Sequence, residues 1–312
     1  MNEKPEILVT SYKNSDLDGV ASAISYSEFL YKLGQKSLPV VFGKSHQEAL
    51  YVLERFGVDL PMDGLSIIDE VEKIVIVDVS DPRGLSDRIK PEKVVEIIDH
   101  RQIHEAGKFP NAKVHIELVG ASATLVAERF RDNDIVPSHN SAVLLYSAIV
   151  SHTINFQNNV TTDRDRKIAK WLSDQFVFPP NLVHEMFREK SRFRAPLEEI
   201  ILGDFAIYEF GKYRLGIGQL EILGVEKFVQ KRFDDIQTIL KAIKEEKKLN
   251  IIFLTCVDVE KAFNTIVSID KITSEILEEA LGVKFQNGIA KTNKIFMRKE
   301  IVPLINDIFD KD

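Results

Sequence analysis

The chain of 312 residues contains a single cysteine, Cys256, which excludes an internal disulfide framework and points to a reducing, cytoplasmic setting. No apolar run reaches the roughly 18 residues that a membrane span requires. The opening "MNEKPEILVT" has no basic stretch followed by an apolar one, so it does not read as an export signal. Internal repeats, low-complexity tracts and Gly/Ser-rich linkers are missing, which argues against solenoids and flexible modular designs. Positive charge is also in short supply. With 41 Lys and Arg against 48 Asp and Glu, the net charge is −7, which argues against broad attraction to nucleic acid duplexes or anionic membranes and favours a small partner.

A hydrophobic share of 44% and a charged share of 29% are those of an ordinary globular protein. Single cores stop growing at roughly 250–300 residues, so two domains are expected. The first half alternates "EILVTS", "GVASAISYSEFLYKLG", "SLPVVFG", "HQEALYVLERFGV", "KIVIVDVSD", "KVVEIIDH" and "KVHIEL", that is, β-branched runs interspersed with segments of helical spacing. "SATLVAERFRD" and "SAVLLYSAIVSHT" read as helices whose first serines, Ser122 and Ser141, suit N-capping. The pattern predicts an α/β domain with a doubly wound, mainly parallel sheet over residues 1–186. A charged, proline-broken stretch suggests a linker at 187–196. Strand-like runs around the charged helix "VEKFVQKRFDDIQTILKAIKEEKKLN" then predict a smaller mixed α/β domain over 197–312.

Acids recur where strands of the first domain should end. Asp16 and Asp18 follow the first strand, Asp78 closes "KIVIVD", and Asp99 with His100 closes "VVEIID". An Asp before a Gly, as at Asp18, ordinarily caps a turn or helix, and a lone His100 would be structural. Several acids converging at the carboxyl edge of one sheet would repel one another without cations. Their mix of oxygen and nitrogen donors suits Mn²⁺, Mg²⁺, Co²⁺ or Zn²⁺.

"NSDLDGVASA", "VDVSD", "DHR" and "SHTINFQNNVTTDRDRKIAKWL" together resemble the four motifs of the DHH phosphoesterase superfamily. The resemblance is closest to its family II, manganese-dependent inorganic pyrophosphatases, with exopolyphosphatases and prune-type proteins nearby. "MRKEIVPLI" is similar to the substrate-binding segment of the accessory domain in that family. The resemblance implies an active-site cleft between the two domains, one or two divalent ions, most simply Mn²⁺, and a homodimer. It makes Asp16, Asp18, Asp78 and His100 metal ligands, with Asp78 shared by two ions. Asp99 would orient His100 and fix its tautomer. Arg298 and Lys299 would hold phosphate oxygens.

The departures from the family pattern are specific. Tyr12 stands where the first motif has a histidine, and His152 where the fourth has an aspartate. The expected result is one ion held by Asp16, Asp78 and a doubtful Tyr12 phenolate, and a second held by Asp18, Asp78, His100 and His152. Arg101 replaces a histidine that could donate a proton, and would stabilise negative charge instead. Ala206 falls where a substrate-binding lysine is expected. The resemblance implies hydrolysis of pyrophosphate by metal-activated water. Polyphosphate or a nucleotide-type phosphoester is the alternative substrate, and a non-catalytic phosphate- or metal-binding descendant the further alternative.

Overall fold

Runs of Ile, Val and Leu too short for helices form the strands of a six-stranded sheet in the order β3-β2-β1-β4-β5-β6. The computed structural model describes residues 5–102 and 104–309. The chain divides into two compact units, one running to Phe156 and including Val160–Glu189, the other formed by Gln157–Asn159 and the chain from Lys190 onward.

In the first unit the elements are β1 (Ile7–Thr10), α1 (Leu17–Lys32), β2 (Ser37–Val41), α2 (Gln47–Phe56), β3 (Met62–Asp63), β4 (Lys73–Val77), β5 (Val94–Asp99), β6 (Lys113–Ile116), α3 (Ser122–Asp132), α4 (His139–His152), α5 (Asp163–Gln175) and α6 (Leu182–Lys190). Every neighbouring pair of strands is parallel. Strand side chains alternate between faces. Ile7, Val9, Val75, Val77 and Ile98 therefore pack against the helices, while Leu8, Ile74, Ile76 and Ile97 meet Phe42, Ile68, Val79, Leu85 and Phe109 on the other face. That second face is covered by loops with short 3₁₀ turns, since the long helices gather on the first. The strand order reverses between β1 and β4, and such a switch point opens a crevice outside the carboxyl ends of the strands.

Two cap expectations are corrected. The helix over "SAVLLYSAIVSH" starts earlier, at His139, because Ser138 caps it by accepting the Ser141 N–H at 3.2 Å. The N-cap of α3 is Ala121, which offers no capping side chain, and Ser122 is already helical. The expected linker at 187–196 also begins inside a helix: α6 runs to Lys190 because Leu182, Met186 and Phe187 are buried.

The second unit contains α7 (Leu197–Gly203), β7 (Phe205–Phe210), β8 (Tyr213–Ile222), α8 (Val225–Glu246), β9 (Ile251–Asp258), β10 (Phe263–Ser268), α9 (Lys271–Leu281), β11 (Ile289–Lys291) and α10 (Arg298–Phe309). Its five-stranded sheet, β11-β10-β9-β8-β7, is mixed, with β8 and β9 parallel and the other pairs antiparallel. The β7–β8 hairpin turns on Gly211 at φ +54° and Lys212, with glycine at the position where a tight turn demands it. The charged α8 is amphipathic, burying Val225, Val229, Ile236, Leu240 and Ile243. No helix among the described residues is long and apolar enough to cross a membrane.

Candidate metal centre

Three turns at the carboxyl edge of the first sheet carry the acids. Asp16 is the N-cap of α1, its Oδ1 accepting the Gly19 N–H at 3.1 Å. Asp18, in the first turn of the helix, is fully buried and caps a different helix: its Oδ2 accepts the Ser122 N–H at 2.7 Å and its Oδ1 the Ala123 N–H at 2.8 Å. The first N–H groups of a helix need acceptors, and a carboxylate there also meets the positive end of the helix dipole. Asp18 therefore supplies the cap that Ala121 cannot.

Asp78 follows β4 in a left-handed conformation, φ +58°, which Asp tolerates better than most residues. Its Oδ1 accepts from the Ser122 hydroxyl at 3.1 Å. Its Oδ2 is buried without a hydrogen-bond partner. Such an atom ordinarily costs about 1–3 kcal/mol, which makes it the clearest sign that a cation belongs here. Asp99, at the end of β5, accepts from the Ser80 hydroxyl and from the His100 backbone N–H at 2.7 Å.

The His100 ring donates through Nδ1 to the Val119 carbonyl at 2.9 Å, so Nε2 faces Asp78 Oδ1 at 3.4 Å and Asp18 Oδ2 at 3.9 Å. The tautomer is thus fixed by Val119, and Asp99 holds the backbone of His100 rather than its ring. His152, the last residue of α4, donates through Nε2 to Asp16 Oδ2 at 2.9 Å and turns Nδ1 toward Asp18 Oδ2 at 3.7 Å. Ligand atoms of Asp18, His100 and His152 lie within 4.8 Å of one another, as do those of Asp78, Asp99 and His100. Carboxylate oxygens and imidazole nitrogens at such spacing fit a divalent cation such as Mn²⁺.

The charges are strongly coupled. Burial raises the Asp18 carboxyl to about 6, with Asp78 adding to the rise. Burial disfavours the His152 imidazolium, yet Asp16 and Asp18 push it up to about 10. Burial likewise works against Asp16, but His152 and the Gly19 N–H hold its carboxyl below the usual range. Tyr12 is raised by burial and by Asp16 and Asp78, and its hydroxyl oxygen accepts the Asp16 N–H at 3.1 Å. Without metal the Tyr12 hydroxyl thus serves as a hydrogen-bond acceptor that positions Asp16.

Arg101 lies over the Tyr12 ring at 5.5 Å, 41% exposed, 3.9 Å from Asp78 Oδ1 and 4.0 Å from Asp99 Oδ1. At those distances its donors stay available to an anion. Arg298 and Lys299 open α10 in the second unit. The Arg298 guanidinium pairs with Asp204 Oδ1 at 2.6 Å and its backbone N–H donates to Gln219 at 2.8 Å. Ala206 sits partly buried on β7.

Sequence reasoning missed Ser80, Val119 and Ser122, which hold the acids and His100 in place. A Ser two residues past Asp78 and the small residues "GASA" opening α3 were the available signals. Ser122→Ala, which deletes the hydroxyl bond to Asp78, is expected to weaken Mn²⁺ binding about tenfold. Calorimetric titration checks this, and unfolding free energy should change by about 1 kcal/mol or less.

Fold and site together define an α/β protein that gathers carboxylates and imidazoles at a switch point to hold divalent cations. Residues 6–149 match the model for the DHH family, N-terminal domain, and residues 184–308 that for the DHHA2 domain. A manganese-dependent inorganic pyrophosphatase of Methanothrix thermoacetophila is 30% identical, over 98% of this chain and 99% of that protein. A probable manganese-dependent inorganic pyrophosphatase of Clostridium acetobutylicum is 28% identical over 98% of this chain and 99% of its own length. Among solved structures, a Methanococcus jannaschii protein assigned to family II of the inorganic pyrophosphatases superposes with a TM-score of 0.75 at 27% identity, covering 97% of this chain and 99% of that one. An exopolyphosphatase-related protein of Bacteroides fragilis shares the fold, with a TM-score of 0.51 at 15% identity, over 99% of this chain and 93% of that one. The chain belongs to the DHH family, in its group of manganese-dependent inorganic pyrophosphatases.

Proposed function

We propose that this protein hydrolyses inorganic pyrophosphate to two phosphates, using Mn²⁺ held by Asp16, Asp18, Asp78, His100 and His152. The reading rests on the unpartnered Asp78 Oδ2, buried beside imidazoles and a second carboxylate. A bound divalent cation would supply charge neutralisation at the phosphoryl oxygens and would lower the pKa of a water toward neutrality. The residues divide the remaining work. Asp78 and Asp18 furnish negative charge on rigid turns, and His100, locked by Val119, presents a single nitrogen. Arg101 stays cationic throughout, so it steadies charge on the departing phosphate and transfers no proton. Arg298 and Lys299 grip the substrate from the second unit. Attack of water on one phosphorus breaks the bridging P–O bond, and the second phosphate leaves with that oxygen. Residues 1–186 and 197–312 are the catalytic and accessory domains in this reading, and the protein works in the cytoplasm as a homodimer.

The test is phosphate release from pyrophosphate by purified protein. Activity should be lost in EDTA, return with Mn²⁺, and exceed that on tripolyphosphate or dinucleotides. Inactivity on pyrophosphate with Mn²⁺, Co²⁺, Mg²⁺ and Zn²⁺ alike, alongside turnover of a longer substrate, overturns it. Ala206 favours that second reading, a polyphosphate or nucleotide substrate, because β7 carries no cation there. Ala206→Lys is expected to lower KM for pyrophosphate several-fold with kcat little changed, as added uniform binding would do.

A further inference from the structure

The loop entering α3 touches three of the residues assigned to the metal. The Val119 carbonyl takes the His100 Nδ1–H, the Ser122 and Ala123 N–H groups bind Asp18, and the Ser122 hydroxyl binds Asp78. A shift of this loop would therefore disturb all three together. What holds it is one buried carboxylate far along the chain. Asp165, in the first turn of α5, accepts the Gly120 N–H at 3.0 Å on Oδ1 and 2.9 Å on Oδ2. It also accepts the Thr124 hydroxyl at 2.5 Å and both the N–H and hydroxyl of Thr162 at 2.7 Å. Every donor around it is matched and Asp165 is wholly buried, so the junction is stiff. Gly120 lets the loop approach this closely: a Cβ there would lie 2.5 Å from Thr153 Cγ2 and 3.0 Å from the Asp165 carboxylate. Thr153 directly follows His152, so the same contact abuts the fourth motif.

We propose that Asp165 is a positioning residue for the metal centre, acting through Gly120 to set the Val119 carbonyl, and thereby the His100 ring, and the α3 N–H groups that orient Asp18. The inference deepens the metal reading above and rests on it. Asp165 touches neither metal nor substrate. Its carboxylate fixes the loop that fixes the ligands, as outer partners of metal-binding histidines commonly do.

The experiment compares Asp165→Asn, Asp163→Asn and Asp78→Asn, titrating metal-free protein with Mn²⁺ and counting free ion by electron paramagnetic resonance. An amide at 165 keeps the shape, but its NH₂ meets either the Gly120 or the Thr162 N–H. Asp163 is exposed and opens the same helix, so Asp163→Asn removes equal charge without touching the loop. Asp165→Asn should weaken Mn²⁺ binding about tenfold and shift the His100 Nδ1-proton resonance of Mg²⁺-loaded protein, while Asp163→Asn changes neither. Should Asp165→Asn not fold, Thr124→Val, which removes one donor and leaves the carboxylate, should shift the same resonance and weaken binding about threefold. Wild-type Mn²⁺ affinity and an unmoved His100 resonance in the folded position 165 or 124 variant, with Asp78→Asn unable to bind, overturn the proposal. Equal losses from Asp163→Asn and Asp165→Asn overturn it too, since charge at the helix start would then be the cause. Unchanged affinity in Asp78→Asn sinks the metal reading itself, and the inference with it.

Discussion

Asp78→Asn is expected to cut pyrophosphate turnover by on the order of 10³-fold, the upper range for removing one preorganised electrostatic group. Tight Mn²⁺ binding should be lost as well. The substitution is close to isosteric, and Asn accepts the left-handed φ of +58° as readily as Asp does. The acceptor for Ser122 also survives, since an amide oxygen can take the place of Oδ1. What disappears is the negative charge and the buried oxygen that no protein group satisfies. Steady-state kinetics with a matched denaturant titration separates loss of chemistry from loss of fold. Retained turnover would show that Asp78 is not shared by the catalytic cations.

Stability of the metal-free protein should fall with rising pH where that of the Mn²⁺-loaded protein stays level. His152 is faced by Asp16 at 2.9 Å and Asp18 at 3.7 Å, with Asp78 also raising its affinity for a proton and the His100 ring 5.6 Å away. Burial opposes the imidazolium, but the carboxylates win and lift it to about 10, against about 6.5 for a free imidazole. A raised folded value means the folded chain holds the proton more tightly than the unfolded one. The stabilisation is complete below about pH 6.5 and drains away as pH climbs toward 10. In EDTA the melting temperature should therefore fall across that window. With saturating Mn²⁺ that fall should vanish, because above about pH 6.5 neither the metal-bound imidazole nor the unfolded one holds the proton. Affinity should gain roughly tenfold per pH unit for each proton displaced. Melting curves in EDTA and in Mn²⁺, together with calorimetry in buffers of different ionisation enthalpy, read both trends. A fall of equal slope in Mn²⁺ would remove His152 from the ligand set.

Asp78 and Asp99 were legible because each ends an apolar run: a strand that must be buried and then stop at a charged residue announces the carboxyl edge of a sheet. Asp16 comes only after the polar loop that follows β1, where it caps α1. The supports were not legible, because they come from long-range pairings. Asp18 caps a helix 104 residues away, and Asp165 reaches Gly120 across 45. No local pattern distinguishes Ser122 as a helix cap from Ser122 as a donor to Asp78. The departures cut both ways. His152 at a ligand position was visible as a residue type, but its hydrogen bond to Asp16 depends on where α4 ends. Tyr12 was visible as a departure at a ligand position, but its hydrogen bond to the Asp16 N–H depends on how the chain turns before α1.

The most direct measurement is the anomalous scattering of manganese in crystals grown with Mn²⁺. Manganese should appear bonded to Asp78 and His100, with Asp16, Asp18 and His152 supplying its other protein ligands. Manganese bound elsewhere, with Asp78 Oδ2 still facing no cation, would contradict the account.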